Sequence, residues 1–387
     1  MKLSSHPVWL VGFRPFFILA CLAGLSLPMV WALMFRGTIA APGSVFLPNQ
    51  WHAHEMFFGF GWAVLGGFLL TSTKNWVKIR GYHGASLMLL VAAWLFERAG
   101  MWFGGAWPQV LFLVSNNLFL ASIIGMLVWS LVANRENDFY RVDNRFFLVV
   151  LPLFLVAKHL LLDPDTFAIG WSMALGLFRM AFLVMLERTL AQFMKGVFQV
   201  DILRSPPLDR AIKLLALAMV FESLMPAMLS GATGLTLAAL LLGRFVFWKP
   251  LLAARRIDIG IMYLGYLCLV AQLLLDGFGR FVPLVWIGTL PLHVFTFGVM
   301  GLIIPAMIVR IANGHTGRKV VFDFRDKLVL RIMIAGLLLR IVAPQFLPEF
   351  YTAWIDAAAG CWFAAFALLA WRYVPFLLRP RVDGKVH

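Results

Sequence analysis

The stretch 51-WHAHEMFFGFGWAVLGGFLLTST-73 decides the class of the fold. It sets two histidines, a carboxylate and a methionine at the head of an unbroken apolar run. A run of about 18 or more such residues reads as a membrane-spanning helix, and similar runs recur along the chain. They do not alternate apolar with polar residues as barrel strands do. Composition agrees: of 387 residues, 62% are hydrophobic and only 13% are charged, with a mean hydropathy of +0.87. The expectation is an all-α polytopic membrane protein, residues 1–387 forming a single integral membrane domain. The first apolar segment is long and is followed by others, so it reads as a retained span rather than a cleaved signal.

About twelve spans can be drawn: 14–35, 51–73, 84–103, 108–133, 146–162, 167–194, 211–229, 231–253, 259–276, 282–309, 328–343 and 351–378. No strong internal repeat is evident at the level of motifs. The net charge of +15 is explained by the positive-inside rule rather than by nucleic acid. Basic residues collect in alternate loops: Lys74, Lys78 and Arg80; Arg135, Arg141 and Arg145; Lys195, Arg204 and Arg210; Arg255 and Arg256; Arg310, Arg318, Lys319, Arg325 and Lys327. The other loops are nearly bare, with Arg36 and Arg280 the exceptions, and Arg379, Arg381 and Lys385 mark the C-terminus. Both termini and the basic loops are therefore expected to be cytoplasmic. Cys21, Cys268 and Cys361 lie in separate apolar runs without a CxxC pattern and read as packing residues.

This orientation brings four of the eight histidines, His52, His54, His159 and His293, to a similar depth near the outer face. Ionisable groups inside a membrane face the bundle interior and mark sites or paths, and imidazole is the commonest metal ligand. His293 is the deepest; Lys158 beside His159 suggests an interfacial position for that residue. Residues two apart on a helix point about 200° apart, so His52 and His54 face opposite ways and do not share one metal on a regular helix. His52 shares a face with Glu55 and Met56; imidazole and thioether together lean toward copper. Glu55 either orients a histidine or caps the helix as an acid in its first turn. In 291-PLHVFTFGVMGLIIPAMIVR-310, Pro291 and Pro305 predict kinks. In the following GHTGR, Gly314 and Gly317 predict a tight turn, with His315, Thr316 and Arg318 placed to bind an anion or simply to fix the turn. His315 lies a bilayer away from His52. Glu222, Arg179 and Arg244 lie deep in spans and each needs an internal partner; Arg340 and Arg98 fall at the outer level.

WHAHEMFFGF, the following GFLLTS.KNW, LHVFTFGVMGLIIPAMIVRIANGHTGR and the opening 12-GFRPFF-17 resemble the NnrS family of bacterial membrane proteins along the whole chain. The chain departs from that pattern at 72-STKNW-76 and 187-ERTLAQFMKG-196. The resemblance implies a multi-pass protein of the bacterial inner membrane that carries haem b and copper. It would act in nitric oxide metabolism or nitrosative-stress resistance, with nitric oxide or another small gas as ligand and a membrane electron donor as partner. It carries no defined reaction. The family's motif residues fall on His52, His54, Glu55, His293 and His315, with Arg14 in the FRPFF block. Taken together, the candidate cofactor residues are His54, His293, His315, Arg14 and Arg340, and the candidate metal ligands are His52, His54, His159, His293, Glu55 and Met56. Two other functions fit the same sequence: a transporter of copper, haem or a small solute, and an assembly factor for a membrane oxidase.

Overall fold

The computed structural model describes residues 3–42, 46–141 and 143–385; His387 lies outside them. The described residues form helices and no strand. Eleven helices are long and apolar enough to cross a membrane: Phe13–Phe35, Pro48–Trp76, Ala85–Ala106, Gln109–Ala133, Arg145–Leu162, Phe167–Phe198, Ala227–Phe247, Ile257–Gly279, Leu290–His315, Phe324–Phe346 and Pro348–Leu378. The protein is thus an all-α polytopic membrane protein. The segment expected as a span over 211–229 is built differently. It is a 13-residue helix, Pro206–Ala218, continued by a 3-10 turn over Met219–Leu224. The local cause is Pro226, whose ring bars the preceding Met225 from helical backbone, and Met225 is extended at φ −91° and ψ 151°. Counting this segment as the seventh keeps the sequence-based numbering, which is used for the spans below.

Two compact units emerge, each from non-contiguous pieces: Met1–Gly170 with Ile308–Val321 and Phe366–His387, and Trp171–Met307 with Phe322–Ala365. In the first unit, spans one and two pack closely. Thr71 Oγ1 accepts from the Phe13 amide at 2.9 Å and donates to the Gly67 carbonyl at 2.7 Å, which satisfies an orphan N–H at the start of span one. A Cβ on Gly67 would stand 2.8 Å from Phe16 Cβ and 3.4 Å from the Phe13 backbone. In lipid, where apolar burial drives helix pairing weakly, such close backbone approach supplies much of the attraction. Edge-on rings fill the rest: Trp62 with Phe154 at 5.0 Å and Phe60 with Phe366 at 5.4 Å. In the second unit Phe297 meets Trp362 edge-on at 5.4 Å. Cys21 and Cys268 are buried and Cys361 half-buried, and all three are free thiols.

Spans two, six and ten are the innermost, with 72%, 83% and 83% of their apolar windows buried. Two of these three carry the histidine motifs, and both share an unexpected feature. Span two widens into a π-helical turn over Glu55–Gly61, directly after His54. Span ten does the same over Thr296–Gly301, three residues after His293. A third π-turn, Leu338–Val342, holds Arg340 in span eleven. Such turns are rare and concentrate at functional sites. They also bear on the two prolines of span ten. Pro291 sits in the first turn of the helix, where its missing N–H leaves no bond unmade. Pro305 lies inside the helix; the carbonyl its absent N–H would meet belongs to Gly301, the last residue of the π-turn.

Gly67→Val is expected to destabilise the detergent-solubilised protein by about 1–3 kcal/mol through overpacking against Phe16. Gly125→Ala, where nothing lies within 4 Å of the new methyl, is expected to leave the melting midpoint unchanged or raised. Equal midpoints for Gly67→Val and wild type would refute the close contact.

Candidate functional site

In the first unit, His54 is fully buried between two carboxylates. Its Nδ1 lies 3.1 Å from Glu55 Oε1 and its Nε2 3.4 Å from Glu97 Oε1. Two cations balance the acids. Arg98 stands 3.4 Å from Glu55 and 3.3 Å from Glu97, and Lys158 donates both to Glu97 and to the Asn116 carbonyl. The two acids, Glu55 and Glu97, are matched one for one by the two bases, Arg98 and Lys158. That is the arrangement a low-dielectric interior demands, since an unpaired charge there costs several kcal/mol. The π-turn feeds the cluster directly. It leaves the Gly59 carbonyl to accept from the Trp94 indole at 3.1 Å, and the absence of a side chain on Gly59 makes the space that the Arg98 guanidinium fills.

The other expected ligands lie apart from this centre. His52 is half-buried and stacks on Trp31, with ring centroids 4.2 Å apart and planes at 15°, so it does face away from His54. Met56 is half-buried on the same helix. His159 is exposed and pairs with Asn117 Oδ1 at 2.8 Å. Its neighbour Lys158, from which an interfacial position was expected for His159, is fully buried. Adjacent helical residues point about 100° apart, so the inward lysine carries the histidine outward.

In the second unit, His293 Nδ1 lies 3.0 Å from the Thr289 carbonyl and its Nε2 lies 3.2 Å from Arg340. Nδ1 also lies 2.9 Å from the Thr289 hydroxyl and 3.4 Å from Arg340, so the donor and acceptor roles of the ring follow its tautomer. Arg340 also reaches the Tyr351 hydroxyl at 3.4 Å. This centre repeats the first in register. His54 and His293 open the same H-x-x-x-F-G pattern, 54-HEMFFG-59 and 293-HVFTFG-298, and each has an arginine from the next span in sequence beside its cluster. The expectation of no strong repeat therefore fails for this motif. The places of Glu55 and Glu97 are taken by Val294 and Leu339, so the second imidazole faces a guanidinium where the first faces carboxylates. The shared pattern was available in the sequence, diluted by generic apolar residues around it.

The deep charges of the second unit have partners. Arg179 lies 3.6 Å from Glu222, and Ser172 donates to the same carboxylate at 3.1 Å. Arg244 stands 3.3 Å from Asp209 and 3.6 Å from Glu187, which also binds Lys213 at 3.1 Å and Arg204 at 2.7 Å. This network anchors the short seventh segment and gives Glu187, in the divergent 187-ERTLAQFMKG-196 block, a structural role.

Arg14 and His315 belong to the first unit. Arg14 is fully buried and donates to the Leu377 and Arg379 carbonyls at 2.9 and 2.7 Å. The His315 ring rests 5.3 Å from Phe13. In GHTGR only Gly317 takes positive φ, +81°; Gly314, expected to share that role, does not. Thr316 binds back to the Ala312 carbonyl at 2.6 Å, and Arg318 binds Thr316 at 2.8 Å and lies 4.0 Å over Phe376. Arg381 clamps Asp383 with both ends of its guanidinium and holds that carboxyl down at about 2.

Among the described residues no three His, Cys, Asp or Glu side chains are placed to hold a metal ion. Within the first unit His52 and His159 have partners of their own away from His54, and at His54 two cations already neutralise the carboxylates. Breaking that balance is measurable. Lys158→Met is expected to cost about 3–5 kcal/mol, because Glu97 loses its closest cation. Adding Glu97→Gln to that variant is expected to restore part of the loss. Thermal melting of both variants checks this, and a double variant no more stable than the single one would show that the pair is not coupled.

The family model described as NnrS protein matches residues 7–381. No curated protein matches the chain. With nearly its whole length covered, the chain belongs to the NnrS family and is a nitric-oxide-related membrane protein.

Proposed function

We propose that this protein binds haem b in the bacterial inner membrane and acts in nitric oxide metabolism or nitrosative-stress resistance, with both termini cytoplasmic if the short seventh segment, Pro206–Leu224, crosses together with the eleven long helices. The observation that carries the reading is the His293–Arg340 pair in an inner span. His293 meets Thr289 through Nδ1 and the Arg340 cation through Nε2. Haem needs those two chemistries, an imidazole for the iron and a cation for a propionate. His293 would supply the first and Arg340 the second, with Tyr351 steadying Arg340 through its hydroxyl. When bound, haem would supply an iron able to take up a diatomic gas, and nitric oxide, being apolar, partitions into lipid. His54 suits the role less well, because both of its ring nitrogens already face carboxylates. Copper has no donor set that fits, and no step is assigned to it.

The test is optical. Protein purified from haem-replete cells is expected to show a Soret band that shifts on adding nitric oxide. His293→Ala is expected to lose most of the bound haem, and His159→Ala to keep it. A colourless wild-type preparation from such cells would end the haem reading.

The π-broken spans two and ten, one rooted in each unit, favour a second reading, a transporter whose interrupted helices form a transient site. Uptake of haem or copper into proteoliposomes, lost in His293→Ala, would support that reading instead.

A further inference from the structure

At the far end of span two, about 30 Å along the helix from His54, the first unit gathers positive charge around a buried arginine. Arg14 opens span one and has no exposed surface. One nitrogen, Nη1, caps the carbonyls of Leu377 and Arg379 at the end of span twelve. Its Nε and Nη2 are buried and meet no hydrogen-bond partner among the described residues. A guanidinium left with two unmet donors inside a protein is costly, and its neighbours make matters worse rather than better. Arg381 and Arg318 repel it, and Lys74 and Arg381 act with it on the His315 ring. Asp383, on the same C-terminal segment as Arg381, is already clamped by that arginine. The start of span one adds its own partial positive charge.

Capping a helix end explains Nη1 alone. Positive-inside topology explains why basic residues lie in these loops, but not why an arginine is buried with its donors unmet. Both facts are met by an anion that accepts from Arg14 Nε and Nη2. We propose that Arg14, Lys74 and His315 form a site for a phosphate-type oxyanion, supplied either by an anionic lipid headgroup or by free phosphate. Arg14 makes the directed hydrogen bonds, Lys74 supplies a mobile charge at the half-buried rim, and His315 closes the side next to Phe13. The site takes up Arg14 and His315, which the sequence offered as cofactor residues, and shares no residue with the His293–Arg340 pair that carries the haem reading.

The experiment uses full-length protein, delipidated in neutral detergent. Melting is followed with sodium phosphate against chloride at matched ionic strength, and with phosphatidylglycerol micelles against phosphatidylcholine. Wild type is expected to be stabilised by phosphate, by phosphatidylglycerol or by both, and the responding arm identifies the source. Arg14→Gln is expected to weaken the apparent affinity about tenfold. Should that variant fail to fold, Lys74→Gln decides, with an expected loss of about threefold. Arg141→Gln, in another basic loop, is expected to leave the response intact. The proposal is overturned if neither phosphate nor phosphatidylglycerol stabilises wild type, or if Arg141→Gln reduces the response as much as Lys74→Gln.

Discussion

The fold of the first unit depends on one requirement: in a medium that solvates charge poorly, Glu97 must meet Lys158. Neither residue has any exposed side-chain surface. Placing both inside is tolerable only with a complete set of partners, and the partners come from four spans. Span two brings His54 and Glu55, span three Glu97 and Arg98, span four the Asn116 carbonyl, and span five Lys158. A shift of any one span would strand a charge. In a bilayer, where apolar contacts do little to distinguish one helix arrangement from another, such a cluster selects a single register.

The second unit solves the same problem with different residues. The π-turn and H-x-x-x-F-G register recur, but the carboxylates do not. His293 is left with a carbonyl on one nitrogen and a guanidinium on the other. One centre is thus electrically closed and the other is open to an anionic partner. A shared local geometry holds two different chemistries, because the residues after the histidine and before the arginine differ.

How far the sequence could be read depended on the range of the interaction. Histidines two apart on a helix must face apart, and His52 on Trp31 with His54 between carboxylates bears that out. Pro226 stops the helix before it, which shortens the seventh segment, and a local rule would have found that too. The burial of Lys158 was not legible, because its partner, Glu97, lies two spans earlier and no local signal links them. Arg340 next to His293 was legible only as a shared depth.

The amino-acid sequence by itself determined that this chain spans a membrane as a helical bundle, and that WHAHE and LHVFTFG carry histidines inside its spans. Hydrophobic length and intramembrane charge are properties of single segments, so composition suffices for both. Tertiary structure decided which charges neutralise one another, which face of each histidine is engaged, and where the helices widen into π-turns. Those outcomes depend on side chains that meet across several spans, and pairing in a low dielectric is settled by distance in space rather than along the chain.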